Sequence, residues 1–140
     1  MLKKILIRVD ADCNIGLAHI VRIHALIKAM GEPYELFLWG RGVNIQNYFP
    51  AVQVFETGDG LLDGMKDILE KVNPDLLITD HPHLSADHWS QLSGAALCPV
   101  ICIDDEGGPV IADLILNGTV LPAYHHYPAL PSDGMVLSGG

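Results

Sequence analysis

Arg8-Val9-Asp10-Ala11-Asp12-Cys13-Asn14-Ile15-Gly16-Leu17-Ala18-His19-Ile20-Val21-Arg22 decides how this chain folds. Leading into it, Lys3-Lys4-Ile5-Leu6-Ile7-Arg8-Val9 is an apolar run of strand length. Beyond it, Ile20, Ile23, Ala25, Leu26, Ile27 and Met30 fall on one broad helical face. The stretch therefore reads as strand, polar turn and helix, the first crossover of a parallel sheet. Ligands of such sheets bind beyond the carboxyl ends of the strands, where a helix N-terminus favours anions. Asp10, Asp12, Asn14, Gly16 and His19 are delivered to that position.

His19 is predicted in or near the first helical turn. The positive end of the helix dipole favours the neutral ring, the form that accepts a proton. A carboxylate such as Asp10 or Asp12 beside it would pull the other way. The same position suits a histidine that only hydrogen-bonds its own turn, and the stretch alone does not separate the two.

Working outward, Gly31-Glu32-Pro33 ends the helix, and Tyr34-Glu35-Leu36-Phe37-Leu38-Trp39 is a second strand. Val43 to Phe49 is a short helix and Val52 to Phe55 a third strand. Leu61 to Val72 is an amphipathic helix stopped by Asn73-Pro74. Leu76 to Thr79 is a fourth strand, and Ser85 caps a helix through Leu92. Val100 to Ile103 is a fifth strand and Leu114-Ile115-Leu116 a sixth. Apolar strands alternating with helices predict a Rossmann-like parallel sheet with helices on both faces, ordered 3-2-1-4-5-6. Residues 1–117 form this domain. Residues 118–140, with Pro122, Pro128, Pro131 and Gly134, read as an irregular segment in which Met135-Val136-Leu137-Ser138 leads into nothing.

Composition narrows the function. Hydrophobic residues make up 49% and charged residues 18% of 140, which fits one domain with a buried sheet. No apolar run is long enough to span a membrane, and the N-terminus reads as a strand rather than a signal peptide. Cys13, Cys98 and Cys102 form no CxxC pair, so reduced thiols in a cytoplasmic protein are expected. The net charge is −9 and every Lys and Arg lies at or before Lys71. The acidic second half argues against a nucleic-acid partner.

In the predicted strand order, Asp10, Asp12, His19, Asp80, His81 and His83 converge on one crevice, with Asp104, Asp105, Glu106 and Asn117 further along the rim. Polar loops and helix caps account for part of such a collection. Three chemistries fit the rest: a metal site from Asp80, His81, His83 and Asp104 or Asp105, acid/base hydrolysis of a glycosyl or phosphoryl bond, and binding without reaction. His81-Pro82-His83 is too common a spacing to diagnose a metal, and neither a metal nor a cofactor is expected. The first turn lacks G-x-G-x-x-G and there is no P-loop. Cys13 lies near His19 in sequence, but nothing else points to a thiol enzyme.

The opening Arg8-Val9-Asp10-Ala11-Asp12, followed by Ile15-Gly16-Leu17-Ala18-His19-Ile20-Val21-Arg22, resembles the R-A-D-A-S…I-G-x-G-H-x-x-R opening of the UDP-sugar hydrolases of pseudaminic acid biosynthesis. Related spore-coat polysaccharide proteins share it. Leu77-Ile78-Thr79-Asp80-His81 resembles that family's strand ending in Asp-His or Asp-Ser, Ile103-Asp104-Asp105 its I-D-D, and Asp113-Leu114-Ile115-Leu116-Asn117 its D-L-L-L-N.

The resemblance implies the N-terminal half of a two-domain GT-B fold, as in nucleotide-sugar glycosyltransferases. A second domain or partner chain would hold most of the UDP. Water would displace UDP from the anomeric carbon of a diacetamido-trideoxy hexose without a metal. The family's catalytic histidine maps onto His19, with Asp10 and Asp12 in the turn beside it as further catalytic residues that would orient His19 or the sugar. Asn14, Gly16, Arg22, Asp80, His81, Asp104 and Asn117 are the expected substrate-binding residues.

The expected function is thus UDP-sugar hydrolysis or transfer in surface-polysaccharide or nonulosonic acid biosynthesis, with the isolated chain inactive. Ala18 in place of the second motif glycine, Asp12 in place of the serine and Pro82-His83 in place of an aromatic motivate an alternative. That alternative is a sugar-binding or interaction module that keeps only the fold.

Overall fold

In chain order the elements are β1 (Lys3–Val9), α1 (Ala18–Met30), β2 (Tyr34–Gly40), α2 (Ile45–Tyr48), β3 (Gln53–Glu56), α3 (Met65–Val72), β4 (Leu76–Asp80), α4 (Ala86–Ala95), β5 (Val100–Asp104), β6 (Leu114–Asn117), a 3-10 turn (Pro122–Tyr124) and β7 (Met135–Ser138). The computed structural model describes residues 2–12, 16–31, 33–42 and 45–138. The strands form one all-parallel sheet ordered β3-β2-β1-β4-β5-β6-β7. This is a Rossmann-like α/β fold, and β1 and β4 are neighbours at its centre, as the strand pattern predicts.

Strand alternation builds two cores. Ile5, Ile7 and Val9 of β1, with Ile78 of β4, pack against Ile20 and Ile23 of α1 and Ile45 of α2. On the opposite face Leu6, Leu77, Val100 and Cys102 pack against Met65, Ile68 and Val72 of α3 and Trp89 and Leu92 of α4. Successive strand residues point to opposite faces, so an all-apolar strand serves both layers. That is why Ile5-Leu6-Ile7 of β1 and Leu76-Leu77-Ile78 of β4 read as unbroken apolar runs.

Local chemistry sets the boundaries. Gly31 follows α1 at φ 63°, and Asn73 ends α3 at φ 49°. At the start of α4 the Ser85 hydroxyl accepts the His88 N–H, and the Ser85 N–H is donated to His88 Nδ1 at 3.0 Å, a capping box. At Gly40 a Cβ would stand 1.7 Å from the Val9 carbonyl oxygen. Only glycine lets the tips of β1 and β2 approach this closely.

Two elements differ from the sequence expectation. The helix predicted from Leu61 begins at Met65, because Gly64 takes a left-handed φ of 74° at its N-cap. Leu61 and Leu62 still pack against the core from the turn before it. The second correction concerns the tail: Met135–Ser138, expected to be irregular, is β7, paired in parallel with β6 from Leu114↔Met135 to Asn117↔Ser138. Pro122, Pro128, Pro131 and Gly134 lie before the strand and shape the connection without interrupting it. The Val43 and Asn44 start of the second predicted helix lies outside the described residues. Among the described residues no helix is long and apolar enough to cross a membrane.

Candidate functional site

The two-sided alternation that builds the core also sorts the polar residues at the strand ends. Val9 and Ile78 face α1, and Asp80, two residues after Ile78 and in register with Val9, faces the same way. It therefore meets the first turns of α1. His19 Nδ1 lies 2.5 Å from Asp80 Oδ1, and Arg22 donates from Nε to Asp80 Oδ2 at 2.8 Å and from Nη2 to Oδ1 at 2.5 Å. Arg22 Nη1 donates to Asp105 Oδ2 at 2.7 Å, which brings in the loop after β5.

Asp80 is an ionised carboxylate. Burial alone would raise its pKa, but the hydrogen bonds from His19 and Arg22 outweigh burial and hold it below the usual range. An ionised acceptor requires a proton on His19 Nδ1, which fixes the Nδ1–H tautomer of the neutral ring. The 3.2 Å approach of Arg22 Nη2 to the same nitrogen is then a charge contact between two donors rather than a hydrogen bond. Among the described residues nothing hydrogen-bonds Nε2. The His19 side chain keeps 15% exposure, while that of Asp80 has none. A cleft of about 60 Å³ lies here, lined by His19, Arg22, Asp80, Asp104, Asp105 and Glu106 among others.

Asp10 follows Arg8 on the other face, and both side chains are fully buried. Arg8 grips Asp10 through Nη1 and Nη2, donates from Nε and Nη2 to the Leu61 carbonyl at 3.1 and 2.8 Å, and stacks over Trp39. The Arg41 N–H adds a bond to Asp10 Oδ1 at 2.8 Å. His81 Nε2 donates to Asp10 Oδ2 at 2.8 Å, while His81 Nδ1 accepts the His83 N–H at 3.1 Å. Both ring nitrogens of His81 are thus committed, in the neutral Nε2–H tautomer. Burial, assisted by the charge of Arg8, pushes His81 below its usual pKa against the pull of Asp10. For Asp10, burial opposes ionisation, and the bonds from His81, Arg8 and the Arg41 N–H overcome it to hold the group far below the normal carboxylate range.

A third knot lies on this second face. Tyr127 donates its hydroxyl to Asp104 Oδ2 at 2.7 Å and accepts from Asn117 Nδ2 at 2.6 Å. Asn117 also donates to the Tyr124 carbonyl and accepts the Thr119 N–H. Asp104 Oδ2 further accepts the Glu106 and Gly107 N–H groups. The knot ties the connection between β6 and β7 to the ends of β5 and β6. Tyr127→Phe is expected to cost about 1.5–3 kcal/mol, the scale for losing a hydrogen bond to a charged group. Urea unfolding measures this, and a loss below about 0.3 kcal/mol would mean the tie contributes nothing.

Placement of the expected residues follows. His19, Arg22 and Asp80 come together, joined by Asp105, which was expected on the rim only as a possible metal ligand and not as a catalytic or substrate-binding residue. Asp10 and Asp12 were expected to orient His19 or the sugar; the carboxylate that meets His19 Nδ1 is Asp80, because strand alternation turns Asp10 to the opposite face. Arg41 Nε lies 3.4 Å from Asp12 Oδ2. His81 joins Asp10 beneath the rim, and Asp104 and Asn117 belong to the Tyr127 knot. Gly16 stands at φ 77°, its N–H donated to the Asp12 carbonyl at 2.8 Å, just before α1. Asn14 and Cys13 lie outside the described residues. Arg8 was not expected at the site either, although an arginine inside an apolar strand is itself a signal, since arginine is almost never fully buried without a partner.

The shifted groups set an acid limit on stability. The lowered pKa of His81 makes its contribution complete above its unfolded value of 6.5 and lost as pH falls below it. Asp10 and Asp80 contribute fully above 3.8 and lose that contribution as pH falls below it. The urea midpoint is therefore expected to decline in two stages on acidification from about pH 8. A midpoint constant from about pH 7 to about pH 5 would show that His81 is not held neutral.

No protein-family model and no curated protein matches this sequence.

Proposed function

We propose that this chain is the sugar-side half of a GT-B-type enzyme that acts on a UDP-sugar, by hydrolysis or by transfer, in surface-polysaccharide or nonulosonic acid biosynthesis. His19 is the base. Its Nε2 takes the proton from water or an acceptor hydroxyl as that oxygen attacks the anomeric carbon. The bond from that carbon to the phosphate oxygen breaks, and its electron pair leaves with UDP.

One observation carries this reading. A histidine in the first turn of α1 has Nδ1–H anchored on a buried, ionised Asp80, with Nε2 uncommitted among the described residues. That is the arrangement by which a carboxylate fixes the tautomer of a general base. The resemblance of the Arg8–Arg22 stretch to the UDP-sugar hydrolases supplies the substrate class. Arg8, Arg22 and Arg41 are each engaged by carboxylates, and the His19 cleft is lined by Asp80, Asp104, Asp105 and Glu106. Such a rim suits a polyhydroxylated sugar better than a diphosphate. This favours a nucleotide held by a further domain or a partner chain.

The test is UDP release from a panel of UDP-sugars by the native polypeptide, with its partner chain if it has one. Release that survives a chelator supports the proposal. No release, with sugar-dependent thermal stabilisation retained, would leave a sugar-binding module instead.

A further inference from the structure

Arg22, expected to bind substrate, is held by protein groups instead. It stands one helical turn after His19, where a substrate-binding arginine would offer its guanidinium to the ligand. Instead all three of its nitrogens face protein groups. Nε and Nη2 cover both oxygens of Asp80, Nη1 holds Asp105, and Nη2 lies 3.2 Å from His19 Nδ1. We propose that Arg22 is a positioning residue that keeps His19 in its proton-accepting form by neutralising Asp80, and is not a ligand for the substrate.

The need for such a residue follows from Asp80. A buried carboxylate 2.5 Å from a histidine aligns the ring, but it also stabilises the imidazolium. A base that is already protonated cannot take a proton from water. The groups facing His19 are mostly of the sign that makes this worse: Asp80 from β4, and Asp104, Asp105 and Glu106 from the end of β5 and the loop after it. Asp104 is turned away onto the Glu106 and Gly107 N–H groups and Tyr127, and Asp105 is bound by Arg22 itself. Pro82, which also lines the cleft, carries no charge.

Against these stand the N-terminal end of α1, whose cap residue Leu17 makes no side-chain cap and whose first turn holds no acid, and the Arg22 guanidinium. Arg22 is the closer and carries a full charge. Its placement separates two jobs: Asp80 keeps its hydrogen bond to His19, while its charge is balanced by the guanidinium.

This inference rests on the reading of His19 as the base, but its test does not use turnover. The ¹⁵N shifts of the His19 ring report its protonation state directly in the intact protein. In the wild type at about pH 7 the ring is expected to show the neutral Nδ1–H pattern. In Arg22→Met, which removes the charge, at least about half of the rings are expected to be doubly protonated, as an unopposed neighbouring carboxylate would produce. Arg22→Gln keeps a donor for Asp80 without the charge and is expected to behave as Arg22→Met does. Arg22→Lys restores the charge and is expected to restore the neutral ring, which a purely structural role would not require.

A neutral ring in whichever charge-removing variant folds would overturn the proposal. So would a wild-type ring already doubly protonated at about pH 7, which needs no variant at all. If the ring behaves as expected while His19→Ala retains full turnover, the charge balance stands and the assignment of the base fails.

Discussion

His19→Ala is expected to lower turnover of UDP-sugar by at least about 100-fold in the native protein, with the fold intact. The magnitude is the usual scale for losing a positioned general base and corresponds to about 2.7 kcal/mol of barrier. The fold should survive because His19 contributes to neither hydrophobic core. The substitution frees Asp80 of one donor, but Arg22 still covers both of its oxygens. The loss should fall on kcat, since the imidazole works on the proton in flight rather than on ground-state binding. Asp80→Asn provides the companion measurement. An amide at this position can donate to Nδ1 and so favour the opposite tautomer, placing the proton on Nε2. A large kcat loss in Asp80→Asn with sugar affinity retained would therefore report on tautomer rather than on packing. Turnover unchanged in His19→Ala would end the assignment of the base.

Much of this site was legible from one periodicity, carried one step further than the motif. The strand order followed from apolar runs alternating with helices, and His19 in the first turn of α1 followed from the position of Ile20 and Ile23. Convergence of the strand ends is a coarse expectation, however, because it ignores which face each residue takes. Val9 is apolar and packs under α1, so Asp10 belongs to the opposite face. Ile78 packs under α1, so Asp80 belongs with His19. The same parity sends Asp104 and Asn117 to the Tyr127 side and Asp105 to Arg22. What periodicity does not carry is distance along the chain. Arg8 reaching Leu61 and Tyr127 reaching Asp104 depend on how loops fold back, and no local pattern encodes that. β7 was hidden for a related reason: four residues between turn-forming neighbours acquire strand character only from the exposed edge of β6.

The largest effect on stability is expected from Asp10→Asn. Arg8 and Asp10 form an ion pair with no exposure of either side chain, and the other donors to Asp10 are His81 and the Arg41 N–H. Asparagine preserves the volume and removes the charge. It leaves a guanidinium buried against Trp39 facing only neutral acceptors, the Leu61 carbonyl and the new amide oxygen, in place of its carboxylate partner. Breaking one partner of a buried pair costs about 3–5 kcal/mol, because the surviving charge is neither paired nor hydrated. For a chain with a typical total of roughly 5–15 kcal/mol, that is a large fraction. Urea unfolding of the variant measures it, and the double variant Arg8→Met with Asp10→Asn identifies the cause. If the penalty is the orphaned guanidinium, methionine, which fills a similar volume without a charge, should recover at least half of the loss. If the double variant is as unstable as Asp10→Asn alone, the carboxylate matters through His81 and the Arg41 N–H instead. A loss below about 1 kcal/mol in Asp10→Asn would mean that Arg8 reaches water and that the pair is not buried as described.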